Sequence, residues 1–137
     1  MEMETVANYL AASTNLDGVR AREVARALAG DVDEELGHAR RLAARLNQIG
    51  AVVPGSHEFL REQASLQPAA DSADVEAVIR GVLEAEEAAI AHYRRLIDET
   101  DGLDRVTQDL AVSILAEEEA HRRLFEGFLR EYAESRR

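Results

Sequence analysis

The chain repeats one arrangement of side chains, Glu-x6-Tyr followed farther on by Glu-x-x-His. The two copies consist of Glu2, Tyr9, Glu35 and His38, and of Glu86, Tyr93, Glu118 and His121. The two glutamates of a copy are separated by nearly the same length of chain, from position 2 to 35 in the first copy and from 86 to 118 in the second. Four carboxylates and two imidazoles are the ligand set that holds two metal ions between four helices. The repeat therefore predicts a dinuclear metal site.

The composition excludes several other kinds of site. The chain has no cysteine, which excludes disulfides, thiolate metal sites and cysteine nucleophiles. Its net charge is -11 and all 16 basic residues are arginine, so the surface repels nucleic acid and attracts cations. No apolar run has the length of a membrane span, and the first residues do not resemble a signal peptide. We therefore expect a soluble, cytoplasmic protein that binds neither nucleic acid nor a membrane.

The elements that must position these residues are predicted to be helices. Abundant Ala, Leu, Arg and Glu favour helix, and strand-like alternation is absent. Breakers fall at 15–18, at 50–73 and at 101–102, which predicts a short first helix and three long ones. The segment 50–73 is a long crossover between two helical hairpins, with a short helical piece expected around 57–63. The predicted helix ends are marked by Asp74 and Asp104 as N-caps and by Gly50 and Gly102 at C-termini.

Each repeated glutamate of the longer helices interrupts an apolar seam, whose residues recur at steps of three and four. In the second predicted helix, the seam around Glu35 consists of Leu28, Val32, Ala39, Leu42, Leu46 and Ile49. In the third, the seam around Glu86 consists of Val75, Val78, Val82, Ala89, Tyr93 and Leu96. In the fourth, the seam around Glu118 and His121 consists of Leu103, Val106, Leu110, Ile114, Phe125, Phe128 and Tyr132. A lone ionised carboxylate in a core costs several kcal/mol, and four together repel one another. Nearby arginines fall on flanking or outer faces, so bound divalent cations explain the glutamates best.

Tyr9 and Tyr93 have two interpretations. Each lies two helical turns from its glutamate on the same face, so its hydroxyl could bind a metal-bound carboxylate of the other hairpin and orient it. Alternatively, each is a core aromatic with a polar tip. Two further histidines, His57 in the crossover and His92 beside a seam, are expected to be ordinary surface or loop residues.

Four segments, 2–9, 33–40, 86–93 and 106–121, together resemble the ferritin-like superfamily of di-iron carboxylate proteins, particularly its bacterioferritin-like and Dps-like members. The resemblance implies an all-α fold, a ferritin-like four-helix bundle with one long crossover between two helical hairpins, over a single domain 1–137. It also implies that Glu35 and Glu118 bridge two irons and act in catalysis, with Tyr9 and Tyr93 beside them. The implied metal ligands are Glu2, Glu35, His38, Glu86, Glu118 and His121.

The chain departs from the family pattern in four ways. Leu36 stands where bacterioferritins usually place a haem-ligating methionine, so no haem is expected. No segment is left for a fifth helix, which favours a Dps-like dodecamer, with a dimer as the alternative. The lysine-rich tail and the cysteines of some Dps-like proteins are absent. Finally, the first ligand is residue 2, so we expect either a natural start upstream of Met1 or a loosely held Glu2, the weakest of the six ligands.

These observations predict an iron-binding ferroxidase. It would oxidise Fe(II) with dioxygen or hydrogen peroxide, for iron storage and detoxification and for protection from peroxide. Manganese and zinc accept the same ligand set. One alternative is a peroxide-detoxifying enzyme similar to rubrerythrin or manganese catalase, with no mineral store. The other is a bundle that serves only as an interaction module and binds no metal.

Overall fold

The structure, a computed structural model, describes residues 1–135, which form four α-helices and no β-strand. The helices are α1 (Glu2–Asn15), α2 (Arg22–Gln48), α3 (Val75–Thr100) and α4 (Arg105–Glu134), with a short 3₁₀ turn at Ser56–Glu58. The all-α prediction is confirmed. The single domain over 1–137 stays a prediction, and Arg136 and Arg137 lie outside the described residues. Within the described part of the chain, no helix is both long and apolar enough to cross a membrane.

The chain divides into two compact units, Met1–Val75 and Glu76–Arg137. The first unit contains the hairpin of α1 and α2 and the crossover that follows it. The second contains the hairpin of α3 and α4. Each unit therefore carries one complete copy of the repeated pattern.

Three of the predicted helix-end residues, Gly50, Gly102 and Asp104, lie where the sequence placed them, and Asp74 as the N-cap of α3 stays a prediction. At the end of α2, Gly50 has a φ of 80°, the N–H of Gly50 donates to the Asn47 carbonyl, and that of Ala51 donates to the Leu46 carbonyl. These are the two hydrogen bonds of a Schellman motif, which needs a left-handed residue and therefore favours glycine. Gly102 has a φ of 71° in the turn before α4. The Asp104 carboxylate accepts a hydrogen bond from the N–H of Thr107, which confirms Asp104 as the N-cap of α4.

Four details differ from the sequence prediction. Ile49, the predicted end of the α2 seam, lies just after the helix and is 55% exposed. The helical piece of the crossover is a 3₁₀ turn at Ser56–Glu58, shorter than the 57–63 expected. The seam of α4 does not reach its predicted start, because Leu103 lies in the turn before the helix and Val106, in the first helical turn, is exposed. The buried face of α2 passes through Asp31, whereas Val32 is only half-buried. Periodicity alone cannot separate two adjacent positions near the edge of a helical face.

Both hairpins bury large apolar side chains beside the repeated residues. Val24 and Leu28 of α2 are fully buried, as are Ile90 of α3 and Ile114 and Phe125 of α4. Each such side chain contributes about 1.5–3 kcal/mol when it leaves water. This burial holds the helices in register and leaves the carboxylates within the apolar faces.

Candidate metal centre

The first hairpin brings together Glu2 of α1 with Glu35 and His38 of α2. His38 Nδ1 lies 3.6 Å from Oε2 of Glu2 and 3.5 Å from Oε2 of Glu35. One ligand atom from each of the three residues lies within 4.8 Å of the other two. The relative exposure of Glu2 is 7%, and that of Glu35 and His38 is 1%. All three predicted ligands of this copy are therefore buried and lie close enough together to share an ion.

The second hairpin repeats this arrangement with Glu86 of α3 and Glu118 and His121 of α4. His121 Nδ1 lies 3.7 Å from Oε1 of Glu86, and one ligand atom from each residue lies within 4.8 Å of the other two. Glu86 and Glu118 are each 1% exposed, and His121 is 7% exposed. In both hairpins, then, the histidine of one helix approaches the glutamate of the other.

The lengths of the helices explain why these residues meet. Glu2 lies as far before the end of α1 (position 2 to 15) as Glu35 lies after the start of α2 (22 to 35). Glu86 lies nearly as far before the end of α3 (86 to 100) as Glu118 lies after the start of α4 (105 to 118). The rise along a helix is proportional to the number of residues. Two glutamates that are equally far from the turn of an antiparallel hairpin therefore lie at the same height along the helix axes. The Glu-x-x-His spacing then places the histidine on the same face, one turn farther along.

The electrostatics of the two clusters fit a cation. The first hairpin buries three carboxylates, those of Glu2, Asp31 and Glu35, against one imidazole, and the second buries two carboxylates against one imidazole. None of the arginines among residues 1–135 is itself buried. Buried carboxylates are costly without positive charge nearby, and a divalent ion supplies that charge. Carboxylate oxygen and imidazole nitrogen are ligands that iron, manganese and zinc accept.

Asp31 carries a buried carboxylate that the sequence pattern did not predict. It lies one turn before Glu35 on α2, and only 7% of it is exposed. Its position one helical turn from Glu35 is consistent with the same helical face, but the position of Val32 is equally consistent with that face, so the spacing does not decide between them. The neighbouring Val32 was assigned to the seam because it is apolar.

Glutamates adjacent to the predicted ligands behave differently. Glu87 is exposed and its Oε1 accepts a hydrogen bond from Nη1 of Arg122 at 3.1 Å. Glu119 is paired with Arg94, with 3.4 Å between Nη2 and Oε1. Both ion pairs link α3 to α4 at the surface, where such pairs contribute little to stability. Burial thus separates the predicted ligands from glutamates one position away.

The predicted tyrosines are both buried, Tyr9 to 0% exposure and Tyr93 to 1%. Each lies on the buried face of its helix, two turns from Glu2 or Glu86. His57 and His92 are exposed, as expected for surface and loop histidines. The ring of His92 packs edge-on against Tyr93 and its Nδ1 lies 3.2 Å from Nη2 of Arg95.

A family model described as ferritin-like domain matches residues 1–134. The DNA protection during starvation protein of Pyrococcus furiosus is 32% identical over 98 residues, which are 70% of this chain and 53% of that protein. The chain therefore spans about half the length of that curated relative.

A solved structure shows the same fold. It is that of a dodecameric thioferritin, the bacterioferritin-related protein from Bacteroides fragilis, which matches with a TM-score of 0.87 at 23% sequence identity. The match covers 98% of this chain and 81% of the other. The predicted fold class, two helical hairpins joined by a long crossover, is confirmed by this likeness.

Proposed function

Because the chain belongs to the ferritin-like domain family, we propose that it is a ferroxidase that binds two Fe(II) ions as substrate and oxidises them to Fe(III). The observation that carries the proposal is the buried Glu-Glu-His triad inside each hairpin, with donor atoms within 4.8 Å of one another. Two triads supply the four carboxylates and two imidazoles that such a dinuclear site requires.

The proposed roles are those that the resemblance to di-iron carboxylate proteins implies. Glu2 with His38, and Glu86 with His121, would each hold one ion, and Glu35 and Glu118 would be ligands of both. Carboxylate oxygens stabilise Fe(III), and the imidazoles keep affinity for Fe(II). Tyr9 and Tyr93 orient the carboxylates through their hydroxyl groups. The two Fe(II) ions give up one electron each and become Fe(III). These two electrons, with two protons, reduce dioxygen to hydrogen peroxide or hydrogen peroxide to two water molecules.

We propose further that the chain assembles into a homo-oligomeric shell that stores the Fe(III). A ferritin-like solved structure of the same fold is described as dodecameric, which supports a dodecamer over a dimer. Storage of iron away from peroxide protects a cell from oxidative damage, as does consumption of the peroxide itself. The acidic surface, with a net charge of -11 per chain, attracts the Fe(II) substrate.

The variant Glu118→Ala tests the proposed activity. Anaerobic loading with Fe(II), followed by dioxygen or hydrogen peroxide, should give a fast rise in Fe(III) absorbance with the wild type. The variant should lose this fast phase, with a rate about 100-fold lower, because even residues that only support a ligand cost about 10–100-fold. Stopped-flow absorbance measures the rate.

The matched control is Glu119→Ala, which removes the adjacent glutamate and its surface pair with Arg94. Its oxidation rate should equal that of the wild type. Equal rates for Glu118→Ala and the wild type would refute the assignment. Turnover of peroxide by a dimer that binds no metal beyond the two ions of each site would instead favour the alternative enzyme similar to rubrerythrin or manganese catalase.

A further inference from the structure

The crossover is fastened to the first turn of α1 by the side chain of Glu4. Its Oε1 accepts hydrogen bonds from the backbone N–H groups of Glu62 and Gln63, at 2.9 and 2.8 Å. Oε2 accepts a third, from the N–H of Glu62, at 3.1 Å. Hydrogen bonds to an ionised acceptor are roughly twice as strong as those between neutral groups. One carboxylate near the start of α1 thus holds two consecutive amides of a distant segment of the chain.

The side chain of Gln63 makes a second connection to α1. Its Nε2 donates to Oγ1 of Thr5, and its Oε1 accepts a hydrogen bond from Nδ2 of Asn8 at 3.0 Å. Thr5 in turn donates from Oγ1 to the carbonyl of Met1 at 3.2 Å. A continuous chain of hydrogen bonds therefore runs from the crossover to the residue immediately before Glu2.

These contacts act on the turn that carries Glu2. Thr5 lies one turn after Glu2 on the same buried face, and both residues are 7% exposed. The first N–H groups of a helix have no acceptor within the helix, and a helix as short as α1 is marginal by itself. The first turn of α1 therefore depends on contacts from outside the helix for its position.

We propose that the hydrogen bonds of Glu4, Thr5 and Asn8 to Glu62–Gln63, here named the crossover clamp, position Glu2 for metal binding. Gln63 is the central positioning residue, since it contacts all three α1 side chains of the clamp through its backbone or side chain. This inference rests on the proposed function, because it assigns the clamp a role in the binding of one of the two ions. The crossover then connects the two hairpins and also positions Glu2, the first of the proposed ligands.

The test uses Gln63→Ala and Glu4→Ala in the full chain, each of which removes one half of the clamp. Glu4→Gln keeps one acceptor oxygen and serves as the partial rescue. The matched control is Gln48→Ala, at an exposed glutamine of the same unit whose Oε1 accepts a hydrogen bond from Arg45 at the far end of α2. Circular dichroism verifies that each variant retains its helix content.

Two measurements follow on each protein. Amide hydrogen exchange of the metal-free protein should be about tenfold faster for residues 5–8 in both alanine variants, and unchanged in α3 and α4. Calorimetric titration with Zn(II), which accepts the same ligands, should show one ion bound about tenfold more weakly and the other as in the wild type. Glu4→Gln should give intermediate values, and Gln48→Ala wild-type values.

The outcomes separate this inference from the function on which it rests. Wild-type exchange at residues 5–8 in both alanine variants would refute the clamp. Faster exchange with unchanged affinity for both zinc ions would refute its role in positioning Glu2. A wild-type protein that binds no zinc would overturn the proposed function, and the exchange data alone would then decide whether the clamp orders α1.

Discussion

At the scale of single residues, burial rather than residue type distinguishes the candidate ligands. Glu86 and Glu87 are adjacent and chemically identical, yet Glu86 is 1% exposed and Glu87 lies at the surface beside Arg122. In the absence of metal, an apolar side chain at position 86 would give a more stable fold than a buried carboxylate. Retention of a buried carboxylate at a cost in stability is what a binding site requires.

The burial of the Glu86 carboxylate predicts a gain in stability for Glu86→Leu in the metal-free protein. Replacement of one of the two buried carboxylates by leucine leaves Glu118 beside His121, so the change should raise the free energy of unfolding by about 1 kcal/mol or more. Urea denaturation in the presence of a chelator measures it. Added Zn(II) should stabilise the wild type strongly and the variant much less, because a ligand stabilises a fold only when it binds to the native state.

Glu87→Leu is the control for this prediction, because it changes the neighbouring glutamate at an exposed position. Its metal-free stability should stay within about 0.5 kcal/mol of the wild type. Its response to Zn(II) should be that of the wild type. A lower metal-free stability for Glu86→Leu than for the wild type would mean that this carboxylate stabilises the fold and would argue against a metal site.

At the scale of elements, the helical hairpin is the unit that builds each triad. A Glu-x-x-His pair on one helix meets a glutamate on the other because both lie equally far from the connecting turn. The spacing from the turn therefore controls the site, because one residue inserted into a helix between the turn and the ligand would rotate the ligand face by about 100°. In the second hairpin, Gly102 and the Asp104 cap set this turn.

The Asp104 N-cap of α4 is expected to contribute to the stability of the protein. Asp104→Ala should lower the free energy of unfolding by about 1 kcal/mol, because the N–H of Thr107 loses its acceptor. Chemical denaturation of the metal-free protein measures the change. Asp109→Ala, an exposed acid within the same helix, should leave the stability unchanged or slightly higher, since alanine is the better helix former. Equal stabilities of Asp104→Ala and Asp109→Ala would show that the cap has no role.

At the scale of the whole molecule, charge and assembly determine what the site can do. The chain carries a net charge of -11, and each arginine among residues 1–135 is exposed or half-buried. Such a surface raises the local concentration of cations near the protein. Only a closed oligomer, however, converts oxidation at a site into storage, because a mineral needs an enclosed space.

The proposed shell predicts a mass of twelve chains by native mass spectrometry or light scattering. After aerobic loading with excess Fe(II), the purified assembly should retain many more iron atoms than two per chain, measured by elemental analysis. The variant Glu118→Ala should keep the assembled mass and load iron more slowly, because assembly and oxidation depend on different residues. A dimer with at most two iron atoms per chain would contradict storage.

The sequence by itself determined the helices, the crossover and the membership of each triad. These features depend on local signals: breakers, caps, equal spacing from the turns and glutamates within apolar seams. The structure brings Glu2, Glu35 and His38 together, and likewise Glu86, Glu118 and His121, as the repeat predicts.

Only the tertiary structure decided two other features. Asp31 is buried and Val32 is only half-buried. Adjacent side chains on a helix point in different directions, and packing rather than periodicity decides which of them faces the core. It also placed Gln63 against Thr5, a contact between distant parts of the chain. No local pattern encodes such a contact, since an irregular crossover can follow many paths and side-chain hydrogen bonds choose among them.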